Sequence, residues 1–127
     1  MQKLLTELDE IGINTLGGLQ RFNFNTELYL GFIQKVLNDQ SFLMLDNAVQ
    51  NNDNKQVLIY ASAIQGIASN LGFVSIESKC KKICNLVYHN ESIKKEFKDL
   101  KKVYTKTIIK LIYVLKGGIN EGFNNLS

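Results

Sequence analysis

The sequence contains no proline and no tryptophan, and among its 127 residues it has one arginine and one histidine. Without proline, no residue of the chain obliges a helix to break, and glycine, asparagine and aspartate remain as the breaking residues. Glycine is concentrated at positions 12–18 and 117–122, so most of the chain between these positions can be helical. The sequence therefore predicts an all-α fold.

Long apolar runs are also absent, since none approaches the roughly 20 residues that span a membrane. The N-terminal MQKLLTELDE alternates charged residues with leucine, which is unlike a signal peptide. We therefore expect a cytoplasmic, monomeric protein that does not bind a membrane. The length and the apolar fraction of 45% suit one domain over residues 1–127, with a flexible tail at 117–127.

Cysteine and histidine are too few for a disulfide framework or a metal site. The two cysteines, Cys80 and Cys84, stand four residues apart and so lie on one face of a helix. Together with His89 they supply too few ligands for zinc. We predict neither a bound metal nor a cofactor.

The net charge of +3 arises mainly from a local excess of lysine near the C-terminus. Such a run commonly forms a solvated helix face. Nucleic-acid binding is not predicted, because Arg21 is the only arginine and no interleaved aromatic residues or known motif are present. The lysines of this run are Lys94, Lys95, Lys98, Lys101, Lys102, Lys106 and Lys110, and they face only Glu96 and Asp99.

The first well-defined helix begins after Asn25, whose side chain can cap it. Phe24 and Tyr29 can form a hydrophobic staple across this cap. A break near Asn38 and Asp39 leaves two alternatives, one long kinked helix or two stacked helices.

The next helix is capped by Asp53 or Asn54, and its apolar residues alternate spacings of four and three, which is typical of a bundle seam. The predicted buried residues are Val57, Ala61, Ile64, Ala68 and Leu71.

Gly72 and Phe73 break the chain before a helix over about 75–87. Asn90 then caps a long last helix that ends at the glycine pair 117–118. Short loops between long helices place neighbouring helices antiparallel. The predicted architecture is an up-down-up-down four-helix bundle behind a short N-terminal helix.

The outward side of the seam helix carries a row of residues at spacings of three and four. A glycine inside a helix costs about 1 kcal/mol relative to alanine. Gly66 is predicted to be exposed, so core packing does not account for it, and it clears space above Ser62 for another molecule to approach. The row comprises Ile59, Ser62, Gly66, Ser69 and Phe73.

The segment from Ala61 to Gly72 reads ASAIQGIASNLG, and it resembles the signature A-H-x-L-K-G-x-x-x-N-x-G of the histidine-containing phosphotransfer (HPt) domains of phosphorelays. The similarity extends over about residues 11–88. It includes the glycine-leucine, arginine and phenylalanine positions before the ELY helix, and Asp53 matches the acid in the turn before the helix that carries the signature segment. The resemblance implies a four-helix bundle that docks the receiver domain of a response regulator, or a histidine kinase.

Two chemical groups of this family are missing. The phosphorylated histidine corresponds to Ser62, and the lysine that neutralises the phosphoryl group corresponds to Gln65. A serine phosphoester is too stable for reversible transfer to aspartate, and a serine without a positioned base is not activated. His89 is 27 residues further on and is expected to be a solvated surface residue.

The sequence thus predicts a degenerate HPt module that is not an enzyme and that binds a receiver without transferring phosphate. Its predicted interface residues are those of the exposed row. Two alternatives stay open: an adaptor for an unrelated protein, such as an acidic one that the lysine-rich helix would bind, and an active phosphocarrier that uses a noncanonical residue.

Overall fold

The computed structural model describes residues 1–116, and every regular element among them is helical. The predicted all-α class is confirmed. The predicted tail at 117–127 and the glycine pair at the end of the last helix lie outside the described residues. The helices are α1 (Gln2–Glu10), α2 (Thr15–Arg21), α3 (Thr26–Lys35), α4 (Ser41–Gln50), α5 (Asn54–Leu71), α6 (Val74–Tyr88) and α7 (Lys94–Leu115).

Between α3 and α4 the chain forms two separate helices. A 3-10 turn over Val36–Asn38 follows α3, and Asp39 then adopts an extended conformation with ψ 132°. The Asp39 carboxylate accepts a hydrogen bond of 2.8 Å from the Ser41 amide, at the first residue of α4. Of the two alternatives left open by the sequence, the structure contains the second, with the break at the predicted position.

Helix α5 has the predicted ends and the predicted buried face. The Asp53 side chain caps it by accepting a hydrogen bond from the Gln56 amide at 3.2 Å. At the other end Gly72 is left-handed, with φ +89°, a conformation that glycine adopts without steric cost. All five residues of the predicted seam are buried: Val57, Ala61, Ile64, Ala68 and Leu71.

Helix α5 packs against α2, α4 and α6, and α7 packs against α6 and α1. Helices α4 and α7 also meet, because the rings of Phe42 and Tyr104 stack with their centroids 4.2 Å apart. The fully buried side chains come from six of the seven helices, so a single core joins them. These side chains are Leu8, Tyr29, Ile33, Leu45, Val57, Ala61, Ala68, Cys80, Ile83, Leu100 and Leu111.

Two predicted details at helix N-termini were wrong. Phe24 is 59% exposed and makes no staple, and Phe22 packs edge-on against Tyr29 instead, with ring centroids 5.7 Å apart. Asn90 does not cap α7, because it closes the end of α6 in a left-handed conformation and Ile93 occupies the cap position. Local capping patterns describe neither the left-handed turn at Asn90 nor the packing of Phe22 on Tyr29, and these decided both details.

No helix within residues 1–116 combines the length and the apolarity needed to cross a bilayer.

Candidate functional site

The exposed side of α5 carries most of the predicted row. Ile59 is 49% exposed although it is a large apolar residue, and Ser62 and Gly66 are also exposed. Ser69 is half-buried. Because these residues are three or four positions apart on one straight helix, they form a continuous strip of surface.

Gly66 is an open position on this strip. A Cβ atom built on it would have no heavy atom within 4 Å beyond its own helix backbone. Packing inside the chain therefore does not require a glycine there. Its absent side chain leaves the helix backbone accessible one turn after Ser62.

Phe73 does not belong to the strip, which corrects the prediction. It is only 5% exposed and occupies the cap position of α6, with its side chain in the core. The physical reason is Gly72, whose left-handed backbone turns the chain so that the face of α5 is not continued beyond it. The helical spacing that placed Phe73 in the row ceases to apply at that residue.

Gln65, which corresponds to the family's lysine, is half-buried beside the strip. The Ser62 hydroxyl oxygen lies 3.6 Å from the Cys84 sulfur, at the distance of a weak hydrogen bond. The sequence reasoning did not identify Cys84 as a neighbour of Ser62. The available signal was its position four residues after Cys80, which lies on the buried face of α6.

Within residues 1–116, the side-chain hydrogen-bond partner of Ser62 is Cys84 and not a base that could activate its hydroxyl. A thiol is a weak hydrogen-bonding partner and not a positioned proton acceptor. The nearby Cys80 is fully buried, and this burial raises the pKa of its thiol to about 12, so the thiol stays protonated at neutral pH. Cys84 adds a smaller electrostatic contribution in the same direction.

His89 is exposed, as predicted for a surface residue. It caps the end of α6, and its Nδ1 lies 2.8 Å from the Asn85 carbonyl oxygen. Within residues 1–116, no group of three histidine, cysteine or acidic residues could hold a metal ion.

The strip continues onto α6 through a shallow depression. Tyr88 at its border is 79% exposed, and Leu58 of α5 supplies further apolar surface. Since Cys84 contacts Ser62 and also lines the depression, the two surfaces adjoin. The depression is lined by Leu58, Ser78, Lys81, Lys82, Cys84, Asn85 and Tyr88.

A cavity of about 570 Å³ lies at the end of the molecule where the α4–α5 and α6–α7 turns meet. Its polar lining includes Asn52, Asn54 and Asn90, and Val57 and Phe97 provide apolar surface. None of the predicted site residues lines it. The strip on α5, although shallower, is therefore the site in which sequence pattern and geometry coincide.

The chain matches no protein-family model, no curated protein and no solved structure.

Proposed function

We propose that this protein is an HPt-like module that docks the receiver domain of a response regulator, or a histidine kinase, without carrying phosphate. The observation that supports this most directly is the pattern of burial along the signature-like segment, which places its apolar residues in the core and its site residues at the surface. Its apolar positions Ala61 and Ile64 are buried, whereas Ser62 and Gly66 are exposed. Gly72, at the last position of the signature, ends the helix.

The arrangement of the long helices is compatible with the bundle that this function requires. We propose that α4, α5, α6 and α7 form an up-down-up-down four-helix bundle, with α3 extending α4 across the 3-10 turn. The supporting observations are the short connections, the packing of α5 between α4 and α6, and the Phe42–Tyr104 stack between α4 and α7.

Docking on this surface depends on shape complementarity and apolar contact more than on charge. Ser62 and Gly66 have small side chains, so the backbone of a partner helix can approach α5 closely. Ile59 and Tyr88 offer exposed apolar area beside this close approach. A receiver that presents an apolar helix face could bury both residues, and a few such contacts carry most of the binding energy in protein interfaces.

Phosphate transfer is not part of the proposal, because the site lacks the necessary chemistry. An HPt domain forms a phosphoramidate on nitrogen, which returns its phosphoryl group readily to an aspartate. Ser62 could form only a phosphoester, and Gln65 carries no charge to neutralise a phosphoryl group. The module would instead sequester a receiver, compete with an active HPt protein, or hold a receiver beside another component.

The test compares two arginine substitutions at exposed helix glycines. Gly66→Arg fills the strip, and Gly31→Arg in α3 is the matched control, because a Cβ at Gly31 also has no atom within 4 Å. Binding is measured by calorimetry against the purified receiver domains encoded in the same genome. We expect at least one receiver to bind, Gly66→Arg to weaken this binding by about 30-fold or more, and Gly31→Arg to change it less than about twofold.

Both variants should keep their helicity and melt at or above the wild-type temperature, because an exposed glycine gains about 1 kcal/mol of helix propensity on replacement. Equal binding by the two variants would show that the strip is not part of the interface. The absence of binding to every receiver, and to every histidine kinase of the same genome in the same assay, would reject the proposed function.

A further inference from the structure

Helix α7 concentrates positive charge more strongly than any other part of the described chain. Its 22 residues include seven lysines and two acids, a formal charge of +5, which exceeds the +3 of the entire chain. No arginine is present on this helix. The remainder of the protein is therefore slightly acidic, and the charge is strongly asymmetric.

Five of these lysines recur at intervals of four residues, and all five are exposed. We call this row the lysine ladder. Successive residues at this spacing are neighbours on a helix surface, and like charges placed there destabilise the helix. The ladder consists of Lys94, Lys98, Lys102, Lys106 and Lys110.

The described residues do not neutralise this row. Two ion pairs involve α7: Lys101 lies 3.1 Å from Asp46, and Glu96 lies 3.3 Å from Lys82 of α6. Neither uses a ladder lysine, and within residues 1–116 no ladder lysine lies within 4 Å of a carboxylate. An unfavourable local arrangement without an internal compensation is characteristic of a functional surface.

We propose that the lysine ladder binds an acidic segment of a partner protein. The row extends about 24 Å along α7, at a rise of about 1.5 Å per residue. Each step of four residues turns about 40° around the helix, so the ladder winds through about 160° in total. An elongated acidic chain can follow this winding and contact all five lysines, whereas a flat bilayer would contact only some of them.

The residue types also favour a carboxylate partner over a nucleic acid. Lysine ammonium groups are point charges that pair with carboxylates without a fixed geometry, whereas arginine provides the bidentate contacts typical of base recognition. The ladder lies on a different helix from the α5 strip, so this inference stands independently of receiver docking.

The experiment uses a fluorescently labelled peptide of about 12 glutamates, which is long enough to span the row at about 3.3 Å per residue. Anisotropy measures its binding to the full chain. The test variant is Lys98→Gln with Lys102→Gln and Lys106→Gln. The matched control is Lys3→Gln with Lys35→Gln and Lys55→Gln, which removes the same charge from exposed positions on α1, α3 and α5.

We expect the ladder variant to bind about tenfold more weakly than wild type, and the control to change less than about threefold. Binding by wild type should weaken between about 50 and about 300 mM salt, because these charges are exposed. The ladder variant should melt at or above the wild-type temperature, since repulsion is relieved.

Equal losses in the two triple variants would overturn the proposal, because net charge alone would then explain binding. A lower melting temperature of the ladder variant would indicate a structural role and would also overturn it. Vesicles of phosphatidylserine and phosphatidylcholine, and a DNA duplex, serve as competing probes. Tighter binding to either probe than to the peptide would overturn the choice of an acidic protein partner.

Discussion

Two glycines near the site have opposite physical roles at the scale of single residues. Gly66 is helical and has free space around its missing side chain, so nothing inside the chain requires it. Gly72 has φ +89°, and a Cβ placed there would collide with the backbone carbonyl of Asn14. The Asn14 amide also donates a hydrogen bond of 2.8 Å to the Gly72 carbonyl, which ties α2 to the end of α5.

Alanine substitutions at these two glycines should therefore change stability in opposite directions. Gly66→Ala should raise the free energy of unfolding by up to about 1 kcal/mol, through helix propensity. Gly72→Ala should lower it by about 2 kcal/mol or more, through backbone strain and the collision with Asn14. Urea denaturation followed by circular dichroism measures both, and a destabilised Gly66→Ala would show that this glycine has a structural role.

Tyr29 reinforces the same end of α5. Its hydroxyl is buried and donates a hydrogen bond of 2.7 Å to the Leu71 carbonyl. Burial raises the pKa of this hydroxyl well above its usual value, with a smaller contribution from the negative charge of Asp9, so it remains a donor at neutral pH. A Cβ at Gly18 would collide with the Tyr29 ring, so glycine there makes room for this side chain.

At the scale of elements, α5 presents its strip correctly only if both of its ends are defined. The start depends on Asp53, whose carboxylate satisfies a backbone amide that has no partner within the helix. By contrast, Ile93 at the cap position of α7 makes no side-chain cap, and the Lys94 amide donates only a long hydrogen bond of 3.4 Å to the Ser92 hydroxyl. The helix that carries the candidate site is therefore capped more firmly than the helix that carries the lysine ladder.

Asp53→Ala should lower the free energy of unfolding by about 1 kcal/mol, because the cap is lost. Asn54→Ala is the neighbouring control and should change it by less than about 0.5 kcal/mol, since Asn54 is exposed and lies inside the first turn. Thermal or urea denaturation measures the difference. Similar losses in both variants would mean that the cap contributes little to stability.

At the scale of the whole molecule, the proposed HPt-like function can be tested by adding the chemical groups that phosphate transfer needs. Ser62→His with Gln65→Lys restores a nitrogen nucleophile on the exposed strip and a cation beside it. Gln65 is half-buried, but a lysine there can lay its aliphatic stem along α5 and keep its charge in water. Gly66 already leaves room for a donor aspartate.

The double variant should take radiolabel from at least one phosphorylated receiver of the same genome, as acid-labile, base-stable phosphate. Ser62→His alone should react about 10²-fold more slowly, because one charge-stabilising group is missing. The wild-type chain should remain unlabelled. Label retention after His89→Gln in the double variant would exclude transfer to His89.

If the double variant folds normally and no receiver labels it, the docking surface has diverged as well. The adaptor hypothesis would then be the better one, and the lysine ladder would become the main candidate interface. Labelling of the wild-type chain would instead support the third alternative, an active phosphocarrier with a noncanonical residue.

Within helix α5 the sequence alone determined most of what the structure contains. Its five buried residues, a cap at Asp53 or Asn54, its end at Gly72 and the exposed position of Gly66 all follow from helical periodicity and capping chemistry, and the structure selects Asp53 as the cap. These rules act between residues at most four positions apart. They need no knowledge of the partner elements.

Only the tertiary structure decided the contacts between residues of different helices and the course of the chain between helices. Phe73 entered the core because Gly72 redirects the chain, Phe22 rather than Phe24 met Tyr29, and Cys84 came to lie beside Ser62 from 22 residues away. Each of these outcomes depends on how helices pack against one another. Helical spacing contains no information about that packing, because the period describes directions around one axis and not the position of a second axis.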